Sequence, residues 1–171
     1  MGKRGIEILG LNVEQLIKTL NEALSEEWLA YYQYWIGAKV MEGPMRSDIE
    51  SELLLHANQE LNHATLLADR IIQLGGVPVL SPDEWSKLAK CKYQSPEDNY
   101  IESVLTQNLE SERCAIQRYK DIIDSTNDKD HTTHQMAINI LNEEIEHEQD
   151  LEDWIKDINR IKEQVKNTKL T

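Results

Sequence analysis

Four long amphipathic patterns run through this chain, and acidic or imidazole side chains interrupt the apolar stripe of every one. Glu27 breaks the first stripe, Glu60 and His63 the second, Glu112 the third, and Glu144 and His147 the fourth. Unpaired buried charge is too costly to be scattered through a helical core. Six such groups pointing inward require something cationic between them. The fold must therefore gather four helices around one polar centre.

Caps and breakers give the helix limits. The first helix opens at Asn12, with Gln15 as the return half of a capping box, and runs to about residue 42, where Gly43-Pro44 ends it. Its face reads Val13, Leu16, Leu20, Leu24, Tyr31, Trp35, Ala38 and Met41, with Glu27 between Leu24 and Tyr31. Ser47 and Glu50 form a second capping box for a helix over about 48–74, with the face Ile49, Leu53, Leu67, Ile71 and Leu74. Gly75-Gly76 and Pro78 stop it. Residues 75–95 form a long connection holding one short helix, capped by Ser81 with Pro82 at its first position. Ser95-Pro96 starts a third helix over about 96–124, with Ile101, Leu105, Asn108, Glu112, Ala115, Tyr119 and Ile122 on one face. The fourth covers about 131–166 through Ala137, Leu141, Leu151, Ile155, Ile158 and Val165. Residues 1–171 thus read as one all-α domain, a four-helix bundle with one long crossover containing a short helix. A plain up-down bundle needs no such crossover.

Charge narrows the partners. With 31 acidic against 18 basic residues the net charge is −13, which repels phosphate backbones and attracts cations, so nucleic acid is disfavoured. The basic clusters are thin: Lys3-Arg4 at one end, and Lys162, Lys166 and Lys169 at the other. No apolar run approaches bilayer-spanning length. The start, Met1 to Gly5, carries two positive charges with no apolar stretch or cleavage site after it. The expectation is a soluble, cytoplasmic protein without membrane contact. In that compartment the two cysteines, Cys91 and Cys114, default to buried or idle thiols.

One Glu-x-x-His means little in a chain so rich in Glu; the specificity comes from register. Both pairs lie mid-face on long helices, and each of the other helices offers one Glu on the matching stripe. Glu110 competes with Glu112, but it sits about 160° round the helix beside Arg113 and Gln117, on a polar face. The halves also repeat: Glu27 to Glu60 spans 33 residues and Glu112 to Glu144 spans 32. Glu112 is the choice, with Glu110 as the weaker alternative. Carboxylates and imidazoles suit iron, manganese or zinc, and i, i+3 spacing puts both ligand types on one face.

The segments Glu26-Glu27-Trp28-Leu29-Ala30-Tyr31-Tyr32-Gln33-Tyr34, Glu60-Leu61-Asn62-His63 and Glu144-Ile145-Glu146-His147 resemble the ferritin superfamily, nearest to bacterioferritin in metal motif. The resemblance implies two iron ions per subunit (manganese or zinc as substitutes), with Glu60 and Glu144 bridging. It implies Glu27 and Glu112 as terminal ligands, and one imidazole, His63 or His147, for each metal. Tyr34 matches the family tyrosine that supports the centre or donates an electron; on its chemistry alone it is equally a core aromatic. Bacterioferritins place a haem-ligating Met where this chain has Leu61, so no haem is expected.

The chain ends soon after the fourth helix and carries a helix in its crossover, both traits of Dps-like 12-subunit cages rather than 24-subunit ferritins. The segments around Cys91 and Cys114 resemble the cysteine motifs of Dps-like thioferritins, which implies a cysteine pair near the di-iron site and a redox role for it. The resemblance therefore implies a mini-ferritin and ferroxidase. Such a protein oxidises Fe(II) with hydrogen peroxide or oxygen and stores ferric iron in a hollow homo-oligomer, against oxidative stress. The alternative is a rubrerythrin-like peroxidase or manganese catalase without storage. His56, one turn before Glu60, either lines an iron access route or is a hydrogen-bonded core histidine. Glu143, Glu146, Glu148 and Asp150 read as a solvated face.

Overall fold

The computed structural model describes residues 3–168; residues 1–2 and 169–171, Lys169 among them, fall outside that range. Its helices are α1 (Lys3–Glu7), α2 (Val13–Val40), α3 (Arg46–Gln73), α4 (Pro82–Leu88), α5 (Ile101–Thr126) and α6 (His131–Thr168). α2 packs along α3 and α5 along α6; the two hairpins then join with α2 beside α5 and α3 beside α6. Residues 74–100 carry the crossover between them. The fold is the ferritin-like helical bundle. Among the described residues no helix is long and apolar enough to cross a membrane.

Local chemistry explains most helix ends. Asn12 caps α2, its side-chain oxygen accepting from the Gln15 amide at 3.0 Å. α3 ends in a Schellman motif: Gly75 takes φ 86, and the Gly75 and Gly76 amides bond back to the Ile72 and Ile71 carbonyls. Ser81 caps α4 through the Asp83 amide, with Pro82 behind it. Gly37 lets α2 and α5 approach closely, since a Cβ there would lie 2.9 Å from Val104.

The apolar core is split into two clusters. One gathers Leu16, Leu20, Leu24, Leu67, Ile71 and Ile122; the other gathers Ile49, Leu53, Ile101, Leu105, Leu151 and Ile158. Each fully buried Leu or Ile contributes about 1.5–3 kcal/mol over its exposed state. Two such clusters offset the desolvation of the polar layer between them.

Three expectations need correction. α5 opens at Ile101, not at 96, because the end of the crossover pairs with the exit of α2: Glu42 donates to the Asn99 carbonyl at 2.7 Å and accepts from Ile101 at 2.9 Å. The Ser47–Glu50 capping box is absent. Met45 sits in the left-handed region and starts α3 at Arg46, while Glu50 pairs with Lys39 at 3.1 Å. Trp35 and Val165 are exposed. Tyr34, two turns after Glu27, takes the core position and puts Trp35 about 100° further round the helix. Beyond Ile158 no residue of α6 is buried. The five-residue α1 had no counterpart in the sequence pattern.

Candidate metal centre

Glu27 comes from α2, Glu60 and His63 from α3, Glu112 from α5, and Glu144 and His147 from α6. All six lie between the two apolar clusters, each no more than 3% exposed. They form two overlapping groups: Glu27, Glu60, His63 and Glu144 in one, and Glu60, Glu112, Glu144 and His147 in the other. Glu60 and Glu144 belong to both. Glu110 stands outside on the surface, paired with Arg113 at 2.8 Å.

The spacing inside these groups is informative. His63 Nδ1 lies 3.4, 3.4 and 3.3 Å from Glu27, Glu60 and Glu144 oxygens. His147 Nδ1 lies 3.3, 3.7 and 3.3 Å from Glu60, Glu112 and Glu144. Charge-assisted hydrogen bonds would draw in to about 2.7–2.9 Å. Ligands about 2.0–2.2 Å from one shared ion, in contrast, stand about 2.9–3.5 Å apart. Both Nδ1 atoms, Glu27 Oε2, Glu60 Oε1, Glu112 Oε2 and both Glu144 oxygens are buried without a hydrogen-bond partner. Buried polar atoms are rarely left so. Four carboxylates would balance two divalent cations, and the donor set fits that pair.

The surroundings fix the ligand orientations. Each imidazole turns Nε2 outward: His63 to a Glu143 oxygen at 2.9 Å, His147 to the Gln59 amide oxygen at 3.1 Å. With Nε2–H donating outward, Nδ1 is left for the centre. The Tyr34 hydroxyl donates to Glu112 Oε1, and the Tyr119 hydroxyl donates to Glu27 Oε1. Each tyrosine holds one oxygen of a carboxylate from the opposite hairpin and leaves the other free. Burial first, and then the facing carboxylate, pushes both hydroxyls well above their ordinary range, so both remain donors.

Burial and crowding set the protonation of these groups. Burial, then repulsion from Glu60, raises Glu27 well above the usual carboxylate range; burial, then Glu144, does the same to Glu112. Burial acts on Glu60 in the same sense, but His147 and His63 outweigh it and hold that carboxyl far below its ordinary value. Burial opposes charge on the imidazoles, yet Glu144, Glu27 and Glu60 raise His63 strongly, and Glu112, Glu144 and Glu60 push His147 up to about 12.

Several partners escaped the sequence reading. Tyr119 stood there only as an apolar-face residue, although it follows Glu112 by seven positions as Tyr34 follows Glu27. Gln59 and Glu143 each directly precede the Glu of a Glu-x-x-His pair. The acidic face on α6 is not uniformly solvated. Glu143 backs His63, Glu148 binds Arg113 at 3.1 Å, and Asp150 lies 3.5 Å from His56. His56 itself is buried, with burial and then the charge on His147 bringing it down to about 3.

The sequence leaves idle thiols and a cysteine pair both open, and the structure has the pair: Cys91 and Cys114 form a disulfide with a Cα–Cα distance of 5.7 Å. It joins the crossover to α5 two residues past Glu112. Glu26, next to the centre's Glu27, supports the same junction by accepting from the Lys90 amide at 2.7 Å and from Arg118 at 2.7 Å. Gln33 accepts from the Gln94 amide at 3.0 Å. On the outer side of α2, Trp28 stacks on Trp85 of α4 with ring centroids 5.2 Å apart.

The ferritin-like domain family matches residues 17–161. A Pyrococcus furiosus protein named DNA protection during starvation protein is 37% identical over 150 residues, covering 85% of this chain and 80% of that protein. The bacterioferritin-related protein of Bacteroides fragilis, described as a dodecameric thioferritin, superposes with a TM-score of 0.93 at 56% identity. That match covers 95% of this chain and 98% of the other. Dps from Thermosynechococcus elongatus, at 17% identity and a TM-score of 0.79 over 83% of this chain and 90% of that one, shares the fold. With the family model matched over residues 17–161 and a relative 37% identical over 85% of its length, this chain belongs to the ferritin-like family.

Proposed function

We propose that this protein is a Dps-like mini-ferritin. It binds two Fe(II) ions within each subunit, oxidises them with hydrogen peroxide, and retains the ferric product inside a hollow 12-subunit oligomer. The observation that carries this reading is the set of buried, unpartnered ligand atoms held 3.3–3.7 Å apart around two overlapping centres. Glu60 and Glu144 would serve both ions, Glu27 with His63 would hold one of them, and Glu112 with His147 would hold the other. Two ferrous ions supply together the two electrons that, with two protons, reduce one peroxide to two waters.

The residues do the rest. Carboxylates neutralise the incoming charge, while Glu143 and Gln59 hold the imidazoles in the ligating orientation. Tyr34 and Tyr119 orient the terminal carboxylates, and where peroxide meets a single Fe(II), Tyr34 would supply the second electron together with its hydroxyl proton, which faces Glu112. Protons displaced from His63, His147, Glu27 and Glu112 are available on the site. The Cys91–Cys114 pair is a redox couple: its dithiol form would give two electrons and two protons to peroxide as the disulfide closes.

A 12-subunit cage agrees with the description of the Bacteroides fragilis relative, and burial between subunits would cover exposed apolar side chains such as Leu55, Leu66, Ile72 and Leu80. The protein then works in the cytoplasm against oxidative stress by removing Fe(II) and peroxide together, not by contact with nucleic acid. Manganese or zinc would occupy the same ligands.

The test adds ferrous iron and stoichiometric peroxide to metal-free protein, beside Glu60→Ala and Glu144→Ala. Rapid oxidation with many irons co-eluting per oligomer, lost in both variants, is expected. Oxidation that stalls once the paired positions are filled would point to a peroxidase or catalase. Independence from both residues would remove the metal-centre reading.

A further inference from the structure

A second polar cluster lies beside the centre and has no counterpart in the other half of the repeat. The repeat superposes Glu60 on Glu144 and His63 on His147. By the same offset His56 falls on Ile140, Glu52 on Met136, and Asp150 on Leu66. The bundle therefore accepts apolar residues at these positions, and one half alone carries a carboxylate–imidazole–carboxylate set. Its atoms converge: Glu52, His56 and Asp150 each offer a ligand atom, all within 4.8 Å of one another.

His56 separates this set from an ordinary acidic surface. The imidazole is 1% exposed, and its Nδ1 has no hydrogen-bond partner. Its Nε2 points between the carboxylates, 3.5 Å from Glu52 Oε1 and 3.5 Å from Asp150 Oδ2. Those distances are too long for charge-assisted hydrogen bonds but match two ligands of one ion at bond lengths of about 2.0–2.2 Å. Spacing inside the buried centre has the same character.

Location gives the cluster a role. The His56 ring stacks on His147, centroids 4.1 Å apart, and meets Tyr34 edge-on at 5.3 Å. Glu52 and Asp150 keep 31% and 47% of their side chains exposed. One end of the cluster thus opens to water, and the other touches a ligand of the buried pair.

We propose that Glu52, His56 and Asp150 form a third divalent-cation site. It takes first-row transition ions such as Fe(II) from solvent and passes them to the His147 side of the buried centre. One imidazole and two carboxylates favour iron, manganese or zinc over magnesium or calcium. Three protein ligands leave the remaining positions to water, so the ion exchanges more readily than one in the buried pair. The delivery role rests on the function proposed above; the binding itself does not.

Redox-inert Zn(II) is the probe, equilibrated by dialysis with the assembled, disulfide-bonded protein. The expected result is one Zn(II) per subunit beyond the buried pair, with anomalous density between the three side chains in crystals. Glu52→Gln and Asp150→Asn sit at partly exposed positions where folding survives. Each should weaken that extra ion by about tenfold to a hundredfold and leave the pair filled. A wild-type protein that binds the pair alone, with no density at His56, overturns this site and leaves the proposed function standing. An ion at His56 with an empty buried centre upholds the site and removes that function. Absence of Zn(II) from both positions overturns both.

Discussion

In the metal-free protein, protonation is divided unequally among the buried carboxylates. Glu112 is driven far above its ordinary value of 4.5 by burial and Glu144, whereas Glu60 is held far below it by the two imidazoles. A raised carboxyl makes the folded state bind more protons than the unfolded one, so its contribution to stability declines as pH rises above 4.5. A depressed carboxyl does the opposite, stabilising above that value and failing only as pH falls below it.

Glu112→Gln therefore replaces a neutral group with a neutral group that still accepts from Tyr34. At or below pH 4.5 metal-free stability should change by no more than about 1 kcal/mol, and the variant should gain on wild type by about 1.4 kcal/mol for each pH unit above that while the wild-type carboxyl stays protonated. Glu60→Gln strips the compensating charge from two buried imidazoliums and should cost about 3–5 kcal/mol. At about 2–4 °C per kcal/mol for a chain of this size, that is roughly 6–20 °C in Tm.

The assay is thermal unfolding after chelator treatment, at fixed protomer concentration, with and without Zn(II). At a hundredfold excess over Kd, wild type should gain about 2.7 kcal/mol per site, and either Gln variant should lose most of that gain. Equal destabilisation by Glu112→Gln and Glu60→Gln without metal would refute the charge assignment. Undiminished Zn(II) stabilisation of either variant would refute the ligand assignment.

Three further outcomes are expected. Metal loading at pH 7 should release about two to four protons per subunit, from His63, His147, Glu27 and Glu112, and affinity should rise with pH; calorimetry in buffers of different ionisation enthalpy measures both, and release of none would contradict the proton-filled site. Reducing Cys91–Cys114, 23 residues apart, should cost about 3 kcal/mol and raise hydrogen exchange over residues 74–100, while unchanged exchange would mean that Glu26, Gln33 and the Trp28–Trp85 stack suffice. Tyr34→Phe and Tyr119→Phe should each slow Fe(II) oxidation by about tenfold in stopped-flow absorbance with metal stoichiometry intact, and no change in either would deny the tyrosines an orienting role.

Much of this centre was legible in the sequence because helical period and burial cost act together. An inward Glu or His leaves a gap in an otherwise apolar stripe, and six gaps in four stripes define a layer. The same logic separates Glu112 from Glu110, which lies among surface charges. Partners that act across hairpins were less legible. The Tyr119 hydroxyl serves Glu27 from 92 residues away, and the ring by itself reads as core. Gln59 and Glu143 look like surface residues because each supports an imidazole from the outer edge of the stripe. Helix starts failed where tertiary pairing overrode local caps: Glu42 holds residues 99–101 extended past a good Ser-Pro start. Disulfide formation depends on where the crossover passes, a path that helical period does not encode; only the resemblance of the segments around Cys91 and Cys114 to known cysteine motifs pointed to the pair.

The central claim is that Glu60 and Glu144 are shared by two metals. Loading metal-free protein with one Mn(II) pair per subunit and recording its electron paramagnetic resonance tests this most directly. The shared carboxylates predict the multiline spectrum of an exchange-coupled pair, replaced by isolated-ion lines in Glu60→Ala. Isolated-ion lines from the wild-type protein at full loading would contradict it.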